Sequence, residues 1–180
     1  MSKDLMLDIE TLGTKHDAPV LSLGACWFNY DKPEIEPTGK IHVVFDVEYQ
    51  QKHQGRIIRA DTVKWWMGQS EAARSALFPP NPTLFQSFID KLTAMTSAAD
   101  AIWAKGPDFD CTILQSLVEA CGVDYKWPYY KHRCVRTMTV QLSDLCSHVR
   151  LSGAAHNALD DAVHQANQIR AIAGALGHGQ

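Results

Sequence analysis

The sequence lacks the features that mark a disulfide scaffold, a membrane segment or a strongly basic surface. Its five cysteines, Cys26, Cys111, Cys121, Cys134 and Cys146, are odd in number and include no close pair, which argues against a disulfide framework or a structural zinc site. Lysine and arginine total 17 against 20 aspartates and glutamates, a net charge of -3. A protein that coats nucleic acid through a basic surface is therefore not expected, although bound cations can offset acidic side chains locally. No basic start precedes a long apolar run, and the apolar C-terminal segment is short and amphipathic. Neither secretion nor membrane spanning is expected, and a cytoplasmic setting follows. No internal repeat and no linker-length stretch interrupts the 180 residues, 46% of them hydrophobic. Residues 1–180 thus read as a single domain with enough apolar content for its own core.

Apolar runs at Leu5 to Ile9, Val20 to Tyr30 and Ile41 to Val47 predict a three-stranded antiparallel meander, with Asp31 to Lys40 as a hairpin loop. The period then changes. Thr62 to Met67 and Ser70 to Leu77 predict short helices, and Asn81-Pro82 is placed to cap and begin a longer one carrying Leu84, Phe85, Phe88, Ile89 and Leu92. Ala101 to Ala104 reads as a buried strand, Cys111 to Cys121 as a helix, Cys134 to Thr137 as a strand and Val140 to Val149 as a helix. A long helix from about Ala155 to Ala173 closes the chain. A meander followed by alternating elements predicts an α/β fold, a mixed sheet with flanking helices.

Three short segments carry the chemistry. In Asp8-Ile9-Glu10, strand alternation sends both carboxylates to one face, where a hard divalent cation would relieve their repulsion. In Gly106-Pro107-Asp108-Phe109-Asp110, at a strand-to-helix junction, Asp110 can face the end of the preceding strand while Asp108 is placed to cap the helix. In His156-Asn157-Ala158-Leu159-Asp160-Asp161, the histidine sits near a helix entrance with two candidate carboxylates beyond it. Asp160 and Asp161 point about 100° apart on a helix, so one of them enters the main site. A competing arrangement puts His156, Asp160 and His164 on one helix stripe as zinc ligands.

Together, Asp8-Ile9-Glu10-Thr11, Phe109-Asp110 beyond Trp103, and His156 five residues before Asp161 resemble the DEDDh group of 3′-5′ exonucleases in the ribonuclease H-like superfamily. The stretch from Asp8 to Thr14, the pair Trp65-Trp66 and the Gly106 to Asp110 turn are most similar to the phage exonuclease A and small bacterial exoribonuclease branch. The resemblance implies a ribonuclease H-like mixed sheet with Asp8, Glu10, Asp110 and Asp161 as metal ligands and His156 as general base. It also implies two magnesium or manganese ions and a single-stranded RNA or DNA substrate with a free 3′ end. It selects Asp161 over Asp160, which the local sequence leaves open, and points to Thr11 and Leu12 beside the terminal nucleotide. The Gly106-Pro107-Asp108 turn departs from the asparagine-containing turn of the wider group.

Two divalent ions would shift the formal charge from -3 to about +1, which permits phosphate attraction without a basic coat. Phe109, Lys105, Trp65 and Trp66 are further candidates for substrate contact, the aromatics as stacking surfaces and Lys105 toward phosphate. Arg56, Arg59, Lys64 and Arg74 form one candidate phosphate track, and Lys131, His132, Arg133 and Arg136 another. Trp127-Pro128-Tyr129-Tyr130 is a candidate surface for a homodimer. A catalytically silent binding module is the remaining alternative.

Overall fold

A computed structural model describes residues 3–30 and 39–177. Among these residues the sheet has five strands, β1 (Asp4–Thr11), β2 (Val20–Phe28), β3 (Lys40–Val44), β4 (Ile102–Ala104) and β5 (His132–Cys134). Their order is β3-β2-β1-β4-β5. The first three pair antiparallel, whereas β4 and β5 join parallel to β1 and to each other, so the expected α/β class with a mixed sheet is observed. Most of the expected Asp31 to Lys40 hairpin lies outside the described residues.

The helices are α1 (Val47–Gln54), α2 (Ala60–Met67), α3 (Glu71–Ser75), α4 (Phe85–Ala98), α5 (Pro107–Ala120), α6 (Val135–Gln141), α7 (Ser143–Cys146) and α8 (Ala158–Ala175). None among the described residues is long and apolar enough to cross a membrane.

Central strand β1 is covered on both faces. Leu5, Leu7 and Ile9 pack with Phe88, Ile89 and Leu92 of α4 and Ile113, Leu114 and Leu117 of α5. Met6 enters the opposite core with Ala162, Ala166 and Ile169 of α8. Alternation along the strand therefore places Asp8 and Glu10 on the α8 side. Each fully buried leucine contributes about 1.5–3 kcal/mol, which offsets the cost of sinking two carboxylates into the other face.

Several boundaries differ from expectation for identifiable reasons. Val47 to Gln54 form a helix rather than the end of a strand, capped by Asp46, whose side chain accepts from the Tyr49 N–H. The longer helix begins at Phe85, not at Asn81-Pro82, because Thr83 is drawn into a parallel bridge with Phe45. Its N–H donates to the Val44 carbonyl at 2.8 Å. The strand expected over Cys134 to Thr137 ends at Cys134, and helix starts at Val135. The helix expected over Val140 to Val149 is divided at Leu142 into α6 and α7.

Candidate active site

The parallel pairing of β1 with β4 brings the turn after β4 beside the carboxyl end of β1. Gly106 makes that turn with φ of 130°, a conformation a side chain would strain. Pro107 then opens α5 in its first turn. Asp110 follows in the same turn, buried, with Oδ1 accepting the Ile9 N–H at 3.1 Å. This bond ties Asp110 to the strand between Asp8 and Glu10. Gly106, not Asp108, is the N-cap residue, and Asp108 is exposed.

Helix α8 supplies the third segment. Its first turn can approach the sheet because β2 carries Gly24, where a Cβ would stand 2.1 Å from the Ala158 carbonyl carbon and oxygen. Asn157 caps the helix, accepting from the N–H groups of Leu159 and Asp160. His156 precedes the cap with φ of 63° and donates its backbone N–H to Asp161 Oδ2 at 2.9 Å. The outcome is that Glu10, His156 and Asp161 each offer a ligand atom within 4.8 Å of the others. Asp160 turns away, accepting the Ala154 N–H at 2.9 Å and resting against Gly153.

That placement corrects the zinc alternative. His156 stands outside α8, so the four-residue stripe through Asp160 and His164 does not exist at its first member. Among the described residues only Glu10, His156 and Asp161 gather as a candidate metal group.

Electrostatics singles out the same centre. Burial, then the charges of Asp110 and Glu10, push Asp8 well above the usual carboxylate range, against a hydrogen bond from Gln165 that lowers it. Burial, with Asp161 and Asp110, raises Glu10 from 4.5 to about 8. Burial raises Asp110 from 3.8 to about 7, opposed by the Ile9 N–H and by Arg136. Asp161 is raised by burial, opposed by the His156 N–H, the His156 charge and the Lys105 charge. Carboxylates that repel one another in a poorly hydrated space hold either protons or cations. All-oxygen donors suit a hard divalent ion such as magnesium or manganese, so these residues fit the expected metals.

Beside this centre lies a cleft of about 360 Å³, lined in part by Glu10, Thr11, Asp61, Trp65, Trp66 and Phe109. Trp66 is buried and donates its indole N–H to the Thr11 carbonyl at 2.9 Å, while Trp65 is 45% exposed. Lys105 is exposed and near enough for its charge to act on Asp161. Leu12 does not line the cleft; its side chain packs on the cluster of Leu21, Trp66, Ala73 and Leu77.

The first phosphate track is largely consumed by the fold. Arg56 is buried and bonds the His16 and Ser116 carbonyls. Arg59 pairs with Asp17 at 2.9 Å, and Arg74 bonds the carbonyls of Met67 and Gln69. In the second track Lys131 bonds the Ser97 and Ala99 carbonyls, and Arg133 those of Tyr130 and His132. Arg136 is the exception, exposed beside the Gly106 turn, with guanidinium nitrogens 3.8 Å from where a Gly106 Cβ would stand. In the proposed pairing surface Trp127 is buried, while Tyr129 and Tyr130 are exposed.

Three residues at the site were not singled out from the sequence. Asn157 carries a usable signal, an N-cap type just before an amphipathic run. Gly24 and Gln165 carry none, because their roles exist only against another element.

An acidic first strand in a mixed sheet, a buried aspartate at the start of the helix after β4 and a late aspartate beside a histidine form the arrangement expected from the resemblance to DEDDh, ribonuclease H-like nucleases. More specifically, residues 3–173 match the family model described as the 3′-5′ exoribonuclease Rv2179c-like domain, and the chain belongs to that family. The exodeoxyribonuclease of Enterobacteria phage T4 is 27% identical over 129 residues, 64% of this chain and 55% of that protein. The chain thus spans about half the length of that curated relative.

Solved structures share the fold. The nuclease domain of 3′hExo, a DEDDh family member bound to rAMP, superposes with a TM-score of 0.68 at 10% identity, covering 99% of this chain and 95% of that one. Cell-death related nuclease 4 gives 0.66 at 14% identity, covering 97% of this chain and 64% of that one. S. pombe Pop2p, in its Mg2+ and Mn2+ bound form, gives 0.62 at 11% identity over 98% and 85%.

Proposed function

We propose that the chain is a metal-dependent 3′-5′ exonuclease of the phage exonuclease A and small bacterial exoribonuclease branch. It removes nucleoside 5′-monophosphates from the 3′ end of single-stranded RNA or DNA. The observation that carries this reading is the convergence of Glu10, His156 and Asp161 within 4.8 Å, beside Asp8 and an Asp110 bonded to the intervening Ile9. The family model and the phage relative support the branch.

Asp8, Glu10, Asp110 and Asp161 would hold two magnesium or manganese ions, which when bound would supply charge stabilisation to the attacking and leaving oxygens of a phosphoryl displacement. His156 accepts a proton from the attacking water, whose oxygen forms the new bond to phosphorus. The 3′ oxygen of the penultimate nucleotide departs and takes up a proton, so the shortened strand regains a 3′ hydroxyl. Thr11, Trp65, Trp66 and Phe109 enclose the departing nucleotide, with Lys105 toward phosphate.

End-labelled, matched RNA and DNA strands incubated with magnesium or manganese test the reading. Progressive loss from the 3′ end, abolished in Asp8→Ala and reduced about 10²–10⁴-fold in His156→Ala, is expected. Intact strands that remain bound would instead favour the silent binding module. The RNA and DNA arms decide which sugar is preferred, because the carboxylates act on a phosphate common to both.

A further inference from the structure

A general base needs an imidazole held at one angle, and histidines in such roles are usually fixed by a hydrogen bond to the second ring nitrogen. His156 is different. Among the described residues no hydrogen bond reaches its ring; only its backbone N–H is engaged, by Asp161. Its left-handed backbone, φ 63°, costs a non-glycine residue on the order of 1–3 kcal/mol. The contact that limits the ring is aromatic: Trp65 meets it edge to face, with centroids 4.8 Å apart and planes at 81°. Trp66 stands farther off at 6.3 Å.

The two tryptophans divide their work. Trp66 is 6% exposed and anchored to Thr11, so it belongs to the fold. Trp65 is 45% exposed, so its indole is not needed for the core. Yet that indole lines the cleft with Glu10, Thr11 and Phe109 while touching the imidazole. One half-exposed side chain therefore borders both the space for a terminal base and the ring that would take the proton.

We propose that Trp65 is a positioning residue that couples occupation of the cleft by the terminal base to the orientation of the His156 imidazole. This rests on the exonuclease reading above. A base packed against the indole restricts its rotamers, and the restricted indole in turn restricts the histidine. Misplacing a reacting group by about 1 Å costs on the order of 10²-fold in rate, so the effect falls on turnover more than on binding.

The test compares wild type, Trp65→Phe and Trp65→Leu in two measurements. In the ion-free protein, NMR of the His156 ring protons reports the neighbouring indoles as a ring-current shift; Trp65→Leu should remove the larger part of it and leave the smaller contribution of Trp66. With magnesium, turnover at saturation is measured on strands ending in an ordinary or an abasic 3′ nucleotide. Wild type should turn over the ordinary end about 10–100-fold faster, Trp65→Phe should retain most of that advantage, and Trp65→Leu should lose it through kcat.

If Trp65→Leu raises KM alone and keeps the wild-type base dependence of kcat, the coupling is refuted and Trp65 is merely a binding wall. A His156 ring shift unchanged by Trp65→Leu refutes it independently. A wild type that leaves every strand intact overturns the exonuclease reading itself, an outcome distinct from an active wild type matched by Trp65→Leu.

Discussion

Gln165 donates its side-chain N–H to Asp8 at 2.8 Å, joining α8 to the first strand across 157 positions of sequence. The residue is 3% exposed, and among the described residues its Oε1 has no partner. The amide thus orients one oxygen of the Asp8 carboxylate within the acidic cluster, and it supports the charged form against burial and repulsion.

Gln165→Leu should therefore weaken manganese binding by about 10–100-fold, the usual scale for removing a group that orients a metal ligand, and lower turnover with it. Calorimetric titration of manganese into the variant checks this. An unchanged affinity would show that Asp8 needs no such support.

The neighbouring aspartates of α8 should separate cleanly. Asp160→Asn keeps an acceptor for the Ala154 N–H, so its activity should stay within about threefold of wild type while Asp160→Ala costs about 1 kcal/mol of stability. Asp161→Asn should lose at least about 100-fold in turnover, since it removes a proposed metal ligand. Strand-shortening rates and thermal melts of the three variants provide the comparison, and the opposite ranking would reverse their roles.

Metal and pH should act together on stability. Glu10 and Asp110 rise in the folded protein from 4.5 and 3.8 to about 8 and about 7, so between pH 4 and 8 these two carboxyls bind more protons in the folded state than in the unfolded one, outweighing the opposite shifts of His42 and His132. Stability of the ion-free protein must then fall as pH rises through that window. A decline of about 2 kcal/mol would lower Tm by on the order of 5 °C. Magnesium or manganese should restore the loss, with a larger gain at pH 8 than at pH 5. Melts with chelator and with ion across this range check the sign, and a Tm that rises with pH in chelator would contradict it.

Gly24→Ala should displace the start of α8, because the added methyl would sit 2.1 Å from the Ala158 carbonyl. Overpacking of this kind costs about 1–3 kcal/mol. Activity should drop further than the folded fraction does, as His156 and Asp161 move together. Activity measured well below the variant's melting temperature separates the two effects.

The elements that were misplaced share a physical origin. Helix α1 has no apolar stripe to read; its deeply buried Gln50 brackets Val20, accepting from its N–H at 2.9 Å and donating to its carbonyl at 2.8 Å. A glutamine satisfied by a distant strand leaves no periodic signal. The β-branched Val135 and Thr137 suggest a strand, but packing of Val135 against Met6, Phe28 and Trp103 holds the segment as the first turn of α6. Likewise Arg56 and Arg59 look like free cations until the carbonyls and carboxylate they serve are folded around them.

Sequence alone determined that Asp8 and Glu10 share a face, since strand alternation is a local property of the backbone. It also set the order and spacing of the three acidic segments, whereas the helix expected from about Ala155 begins only at Ala158, beyond the Asn157 cap. Only the tertiary structure decided that Asp110 bonds Ile9, that Asp160 turns to Ala154 while Asp161 meets Glu10, and that Trp65 rests on His156. Those relationships depend on how closely separate elements approach, and a glycine on one strand or a glutamine on a remote helix controls that distance without leaving a periodic mark.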